Sequence, residues 1–210
     1  MFGPITLIAR DPLVLLLLAL AVLGGVTLHT VWQALIARWL GDSSAQDAGY
    51  VSLEPAVHHS LVSLILYLLL GLALPRPVPI SAALRGWRGT LTLLSGPPAL
   101  LLLALLLLLL QRLQQMVLSG FDPLGLALGR AAYTLTQHAV FFCLPLPSLD
   151  MGRALELSGP PALRRGLKTL DGAGRLLAYI LWLLLALSGA LGAATQPFWH
   201  ALSAVVGLLP

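Results

Sequence analysis

The chain has few charged residues and only one cysteine, and both shortages limit what it can be. Charged side chains make up 10% of the 210 residues, 58% are hydrophobic, and the mean hydropathy is +0.92. Soluble globular domains carry about 25% charged residues, so the composition excludes an ordinary soluble domain. Because Cys143 is the only cysteine, an internal disulfide framework and a cysteine-rich metal site are also excluded.

Apolar segments follow one another along nearly the whole chain. They cover residues 12–40, 57–74, 91–118, 124–146 and 174–194, and a short apolar tail follows at 198–209. About 20 residues of helix cross the hydrocarbon layer of a bilayer. The sequence therefore predicts an all-α polytopic membrane protein with about four to five transmembrane helices. It forms a single membrane domain over 1–210, with its core at about 12–194.

The first apolar segment and the basic residues indicate how the chain sits in its membrane. The segment continues to Leu40 without an A-x-A-like cleavage site, so we expect it to be retained. The formal net charge is +4. The Lys and Arg residues fall between the apolar segments, where they set orientation in a bilayer. We expect the lipid bilayer as a partner and no role in nucleic-acid binding.

Two topologies are compatible with the positive-inside rule. In the first, all five segments span the membrane, and residues 29 and 150 lie toward opposite sides of it. In the second, segment 57–74 enters the membrane and returns as a re-entrant hairpin, which brings both ends to the same side. The segment is short and ends near Pro75, so we prefer the re-entrant hairpin.

Residues 27–42 resemble a zinc-protease helix that lacks part of its chemistry. Such a helix carries H-E-x-x-H, in which two His bind the metal and the Glu acts as general base. Here His29 occupies the first position, but Thr30 stands in place of the Glu and Gln33 in place of the second His.

A second polar position lies about 120 residues later, in F-C-L-P-L-P-S-L-D-M-G-R. Asp150 follows Pro145 and Pro147 within an otherwise apolar stretch. A carboxylate in such a stretch is a candidate functional residue, and the prolines open the backbone there. The alternative is that Asp150 is the interfacial end of a span, neutralised by Arg153.

Five motifs in order resemble the bacterial site-2 protease family of intramembrane zinc metalloproteases, in its compact branch without a PDZ domain. The family's R-L-G-D, G-x-L-T-L-N-P, G-W-A-K-P-V-P-V, A-G-P and N-L-L-P-I-P-P-L-D-G-G-R are matched, respectively, by residues 38–42, 49–55, 71–80, 95–97 and 142–153. The resemblance covers residues 12 to 190. It implies a helical membrane fold, a bacterial inner-membrane location, and zinc ligands at the positions of His29, Gln33 and Asp150.

The departures from the family fall on its chemistry. The family's Glu, His, Asn, Asn, Asn and Gly are replaced by Thr30, Gln33, Glu54, Leu100, Phe142 and Met151. A carboxamide is a poor zinc ligand and Thr30 cannot serve as a general base. We therefore expect little or no zinc, vestigial ligands in His29 and Asp150, and no intact catalytic residue.

The resulting hypothesis is an inactive pseudoprotease that binds or scaffolds transmembrane segments of other membrane proteins. In the family, substrate pairs with an edge segment near the zinc, so short β-like edge segments are expected here, including Pro75, Pro77, Val78 and Pro79. One alternative is an active metalloprotease whose site is rebuilt from Glu54, His58 and His59. Another is a small transporter or channel that uses Asp150 and His138.

Overall fold

A computed structural model describes residues 3–81, 84–117 and 122–208. All regular structure in these residues is helical, which confirms the predicted class, and none of them forms a β-strand. The α-helices are α1 (Pro12–Trp39), α2 (Ser44–Asp47), α3 (Pro55–His58), α4 (Leu61–Leu70), α5 (Trp87–Leu94), α6 (Gly96–Val117), α7 (Pro123–Phe142), α8 (Asp150–Ser158), α9 (Pro161–Leu170), α10 (Gly174–Leu187) and α11 (Ala190–Gly207).

Among the described residues, three helical stretches have the length and apolar composition to cross a membrane. They are Pro12–Trp39, Trp87–Val117, which joins α5 and α6, and Pro161–Leu187, which joins α9 and α10. The chain is therefore described as an integral membrane protein. Parts of the predicted segment 91–118, of the polar stretch 119–125 and of the tail 198–209 lie outside the described residues.

Local sequence sets the ends of α1 and α7. Asp11 caps α1 by accepting a hydrogen bond from the Val14 backbone N–H, and Pro12 opens the helix. Asp122 caps α7 in the same way through Leu124 and Gly125. Side-chain oxygens at this position satisfy backbone donors that have no partner within the helix.

The segment after α1 runs out along the protein and comes back. Helix α4 ends at Gly71, which adopts a left-handed conformation with φ of 81°, and a Cβ placed on Gly71 would lie 3.9 Å from Pro4 Cδ. The chain then returns without regular structure, and the Arg76 backbone N–H donates to His58 O at 2.6 Å. Helix α4 has only 10 residues, so alone it is too short to cross a bilayer.

The core lies where α1, α6 and α7 pack together. Buried side chains from the three helices meet there, including Val26, Leu100 and Leu135, and Phe142 closes the end of this core. Pro145 and Pro147 lie in the turn between α7 and α8, which prevents α7 from continuing. This turn places the start of α8 beside the middle of α1.

Candidate functional site

His29 and Asp150, which are 121 residues apart in the sequence, are in direct contact. The His29 Nε2–H donates to Asp150 Oδ2 at 2.7 Å. Both residues are buried, with 2% and 6% of their surfaces exposed. The pair forms because α1 carries His29 inward and α8 begins at Asp150 after the proline-containing turn.

Gln33 lies one turn after His29 on the same face of α1, and its amide group points its nitrogen into the site. Gln33 Nε2 donates to Leu93 O at 2.8 Å and lies 3.5 Å from His29 Nε2. A carbonyl only accepts, so the Leu93 contact fixes the amide with its NH₂ on this side. The oxygen of Gln33 is therefore not presented beside His29.

Gly96 closes the site from α6. A Cβ at this position would collide with the His29 ring and lie 2.6 Å from Gln33 Nε2. Helix packing therefore explains the glycine at position 96, because only glycine lets α6 approach α1 this closely. The Phe142 ring covers the other side of His29, with 5.2 Å between ring centroids.

The residues of this site offer zinc fewer ligands than it normally takes. A zinc ion is held by three or four protein ligands. His29 and Asp150 are two ligand-type side chains, bonded to each other, and Gln33 presents its amide nitrogen rather than its oxygen beside them. Within residues 3–81, 84–117 and 122–208, no three His, Cys, Asp or Glu side chains are grouped so that they could hold a metal.

Thr30, at the position of the general base, is part of a separate hydrogen-bond chain. The His58 Nε2–H donates to Ser52 O at 2.8 Å, so the neutral ring accepts at Nδ1. The Thr30 hydroxyl lies 2.7 Å from that Nδ1 and 2.8 Å from Thr27 O. Thr30 thus joins α1 to α3 and has no contact of this kind with Asp150.

Of the residues considered for a rebuilt metal site, His58 and His59 are hydrogen-bonded to other groups and Glu54 is exposed. The His59 Nε2–H is shared between Leu23 O at 3.2 Å and the Thr27 hydroxyl at 3.0 Å. Glu54 is exposed at the start of α3. His58 and His59 therefore hold the end of α3 against α1, and the structure does not bring them into one metal-ligand set with His29.

The predicted edge at Pro75, Pro77, Val78 and Pro79 is held through its carbonyl groups. Ser63 and Arg175 donate to Leu74 O, and Arg175 also donates to Pro75 O. Tyr50 donates to Pro77 O at 3.1 Å and Arg153 to Val78 O at 2.6 Å. Arg153 therefore binds this segment, and its guanidinium forms no ion pair with Asp150.

His138, named in the transporter alternative, is hydrogen-bonded to the backbone through both ring nitrogens. Its Nδ1–H donates to Thr134 O at 2.7 Å, and its Nε2 accepts from the Ala73 N–H at 3.0 Å. Both ring nitrogens are thus satisfied. Phe142 contacts His138 on one side and His29 on the other, so one aromatic ring separates the two imidazoles.

Sequence reasoning missed several residues that organise the site. Thr27 and Arg175 were not singled out, although each bonds the segment between His58 and Val78. No motif marks Thr27, which lies two residues before His29. Alternating prolines at 75, 77 and 79 were the available signal, because such a segment needs side-chain donors for its carbonyls.

No protein-family model, no curated protein and no solved structure matches this chain. The likeness to site-2 proteases therefore rests on the ordered sequence motifs.

Proposed function

We propose that this chain is a site-2-protease-like protein of the bacterial inner membrane that binds transmembrane segments of other proteins without cleaving them. The observation that carries the proposal is the direct bond between His29 and Asp150, beside a Gln33 amide that is bonded to Leu93 O. Zinc hydrolysis needs three protein ligands, an open water position and a general base. Two ligand-type side chains bonded to each other, and threonine in place of the base, favour a binding role.

In the proposed topology, residues 57–74 form a re-entrant hairpin and α7 is a fourth span. The hydrogen bond from Arg76 N–H to His58 O supports this arrangement, because it closes the hairpin at its base. The His29–Asp150 contact favours the same arrangement, since five spans would direct these residues to opposite faces. Most Arg and Lys residues then lie on the cytoplasmic side.

The proposed place for a partner helix is an apolar groove of about 330 Å³ between α1 and α6. His29 lines it together with Leu28, Trp32, Leu35, Leu102 and Leu106. The buried His29 Nδ1 has no hydrogen-bond partner among the described residues. With Nε2 donating to Asp150, Nδ1 would accept a hydrogen bond from a polar group of a partner that enters the groove and opens access to this atom. The segment at 74–80 is less suited, since its carbonyls are already bonded.

Metal content is the first test of this proposal. The purified protein should carry much less than one equivalent of zinc by elemental analysis. Gln33→His should raise zinc affinity sharply, because imidazole is a far better ligand than a carboxamide. Gln33→Asn, which keeps the carboxamide, should not. Stoichiometric zinc in the unaltered protein that is lost in His29→Ala or Asp150→Ala would overturn the pseudoprotease proposal.

Partner binding is tested with a defined single-span peptide in liposomes. A photo-crosslinking residue at Leu106, in the groove, should capture a leucine-based peptide that carries one central asparagine, and the peptide should remain intact by mass spectrometry. The same residue at Leu184, an equally exposed position on α10, is the matched control. Equal capture at both positions, or cleavage of the peptide, would contradict the proposal.

A further inference from the structure

A second cavity, of about 750 Å³, lies at the tip of the hairpin formed by α4 and the returning segment. Gly71 at that tip and Pro4 line it, and the walls come from α6, α7 and α10. It contains none of His29, Gln33 and Asp150. Its volume falls within the range of small-molecule sites.

Arg130 of α7 lines this cavity and carries its positive charge. It is exposed, and its guanidinium makes no hydrogen bond or ion pair with any described residue. The described lining includes no Asp or Glu. An unpaired guanidinium in the wall of a cavity without a carboxylate attracts an anionic ligand.

Two other polar side chains of the cavity are able to donate hydrogen bonds. The Tyr133 hydroxyl and the Gln137 amide have no hydrogen-bond partner among the residues that the structure describes, and both side chains line the cavity. Gln111 already donates to Gly125 O at 2.9 Å. Free donors around one cation, with no competing carboxylate, suit an oxyanion better than a neutral ligand.

Two features indicate which anion fits: the position of Arg130 along α7 and the apolar walls of the cavity. Arg130 comes seven residues after Pro123, about 10 Å along the helix axis at 1.5 Å per residue. Leu7, Leu18, Leu126 and Trp182 line the cavity beside the polar groups. A ligand that fits both parts has a charged head and an apolar body.

We propose that this cavity binds the phosphate group of an anionic phospholipid through Arg130. The planar guanidinium can donate two parallel hydrogen bonds to phosphate oxygens. Tyr133 and Gln137 can donate to the remaining oxygens, while the glycerol and the first acyl carbons lie against the leucines. This site is independent of the proposed partner groove, which lies between other faces of α1 and α6.

The test measures retention of phosphatidylglycerol by native mass spectrometry of the full chain released from mixed-lipid nanodiscs. The unaltered protein should retain phosphatidylglycerol in preference to phosphatidylcholine. Arg130→Gln should weaken its apparent affinity about 10-fold, and Arg130→Lys should lie in between, because lysine keeps the charge without the planar fork. Arg112→Gln is the matched control, since Arg112 is exposed on α6 but does not line the cavity.

A variant that fills the cavity provides a second readout that leaves the charge in place. Ala186 lines the cavity and Leu187 does not. Ala186→Trp should therefore reduce phosphatidylglycerol retention, while Leu187→Trp should leave it unchanged. Circular dichroism of each variant checks that the helices are intact.

Inorganic phosphate distinguishes the lipid from its headgroup. Failure of millimolar phosphate to displace the lipid would assign the intact phospholipid as the ligand. Displacement that depends on Arg130 would assign the phosphate group alone. Unchanged retention in Arg130→Gln, or equal retention of phosphatidylcholine, would overturn the proposal.

Discussion

Thr30, which aligns with the general base of the family that the sequence resembles, makes a structural hydrogen bond in this protein. Its hydroxyl reaches His58 Nδ1 at 2.7 Å. Thr30→Val should cost about 2 kcal/mol of unfolding free energy, because it leaves a buried imidazole nitrogen without a partner. Thr136→Val is a matched control, since that buried hydroxyl bonds only to Ala132 O in its own helix.

Unfolding in mixed detergent micelles measures both variants. Thr136→Val should cost less than about 1 kcal/mol, because the helix carbonyl keeps its backbone bond. Equal losses at the two positions would mean that the bond to His58 contributes nothing beyond the threonine's own packing.

Asp42 should make the stability of the fold depend on pH in the acid range. Burial acts to raise the pKa of Asp42, but hydrogen bonds from Ser44 and Ser81 outweigh burial, so the pKa lies below its ordinary value. A lowered pKa in the folded state stabilises the fold above the unfolded-state pKa of about 3.9. This stabilisation is lost as the pH falls through the lower, folded-state value.

The measurement compares acid unfolding of the protein with that of Asp42→Asn. The variant should be less stable at pH 7 and should lose less further stability between pH 5 and pH 2. Asp47→Asn is the control, because Asp47 is an exposed carboxylate on α2. Parallel pH profiles for the protein and Asp42→Asn would remove Asp42 as the source.

At this scale the resemblance predicted that His29 and Asp150 share one site, but it predicted neither their direct bond nor the partners of Thr30. The first pair could be placed because two motifs of one family align with it in order. No periodicity relates residue 30 to residue 58, and the bond depends on where α3 turns after the polar stretch. Side-chain bonds across such loops need the three-dimensional path of the chain.

At the scale of the elements, Gly96 controls how closely α6 approaches α1. Gly96→Ala should cost about 3 kcal/mol or prevent folding, since the added Cβ would collide with His29 and lie 2.6 Å from Gln33. Gly24→Ala on α1 should change stability by no more than about 1 kcal/mol, because no atom lies within 4 Å of its Cβ position. Thermal unfolding in detergent measures both.

If Gly96→Ala folds poorly, a second substitution at His29 still tests the prediction. Gly96→Ala combined with His29→Ala should recover stability, because the smaller side chain makes room for the new methyl group. A double variant that is less stable by the sum of both losses would show that the two residues do not meet.

The elements themselves were predicted unevenly. Apolar length located α1, α6 and α10 but missed α9, which begins the stretch Pro161–Leu187, and the prolines correctly ended α7 before Asp150. The expected edge at 74–80 forms no strand, because proline at 75, 77 and 79 removes alternate backbone donors. Its carbonyls bond to Tyr50, Arg153 and Arg175 instead.

At the scale of the whole molecule, the arrangement in the bilayer depends on whether residues 57–74 span it or enter and return. Hydropathy counts apolar segments but does not distinguish a span from a hairpin that returns. In the structure, residues 58 and 76 are joined by a backbone hydrogen bond, and Gly71 at the far end lies against Pro4. The chain therefore leaves at residue 58 and comes back beside it at residue 76.

Asp47 is the position at which the two topologies give opposite results. In a Cys143→Ser background, Asp47→Cys and Arg165→Cys should both react with an impermeant maleimide only in inverted membrane vesicles, and Arg10→Cys only in intact spheroplasts. All three positions are exposed. Five spans would place Asp47 outside and Arg165 inside, so external labelling of Asp47 would contradict the hairpin. It would also be incompatible with the 2.7 Å contact between His29 and Asp150, because that contact requires the end of α1 and the start of α8 to meet on one side.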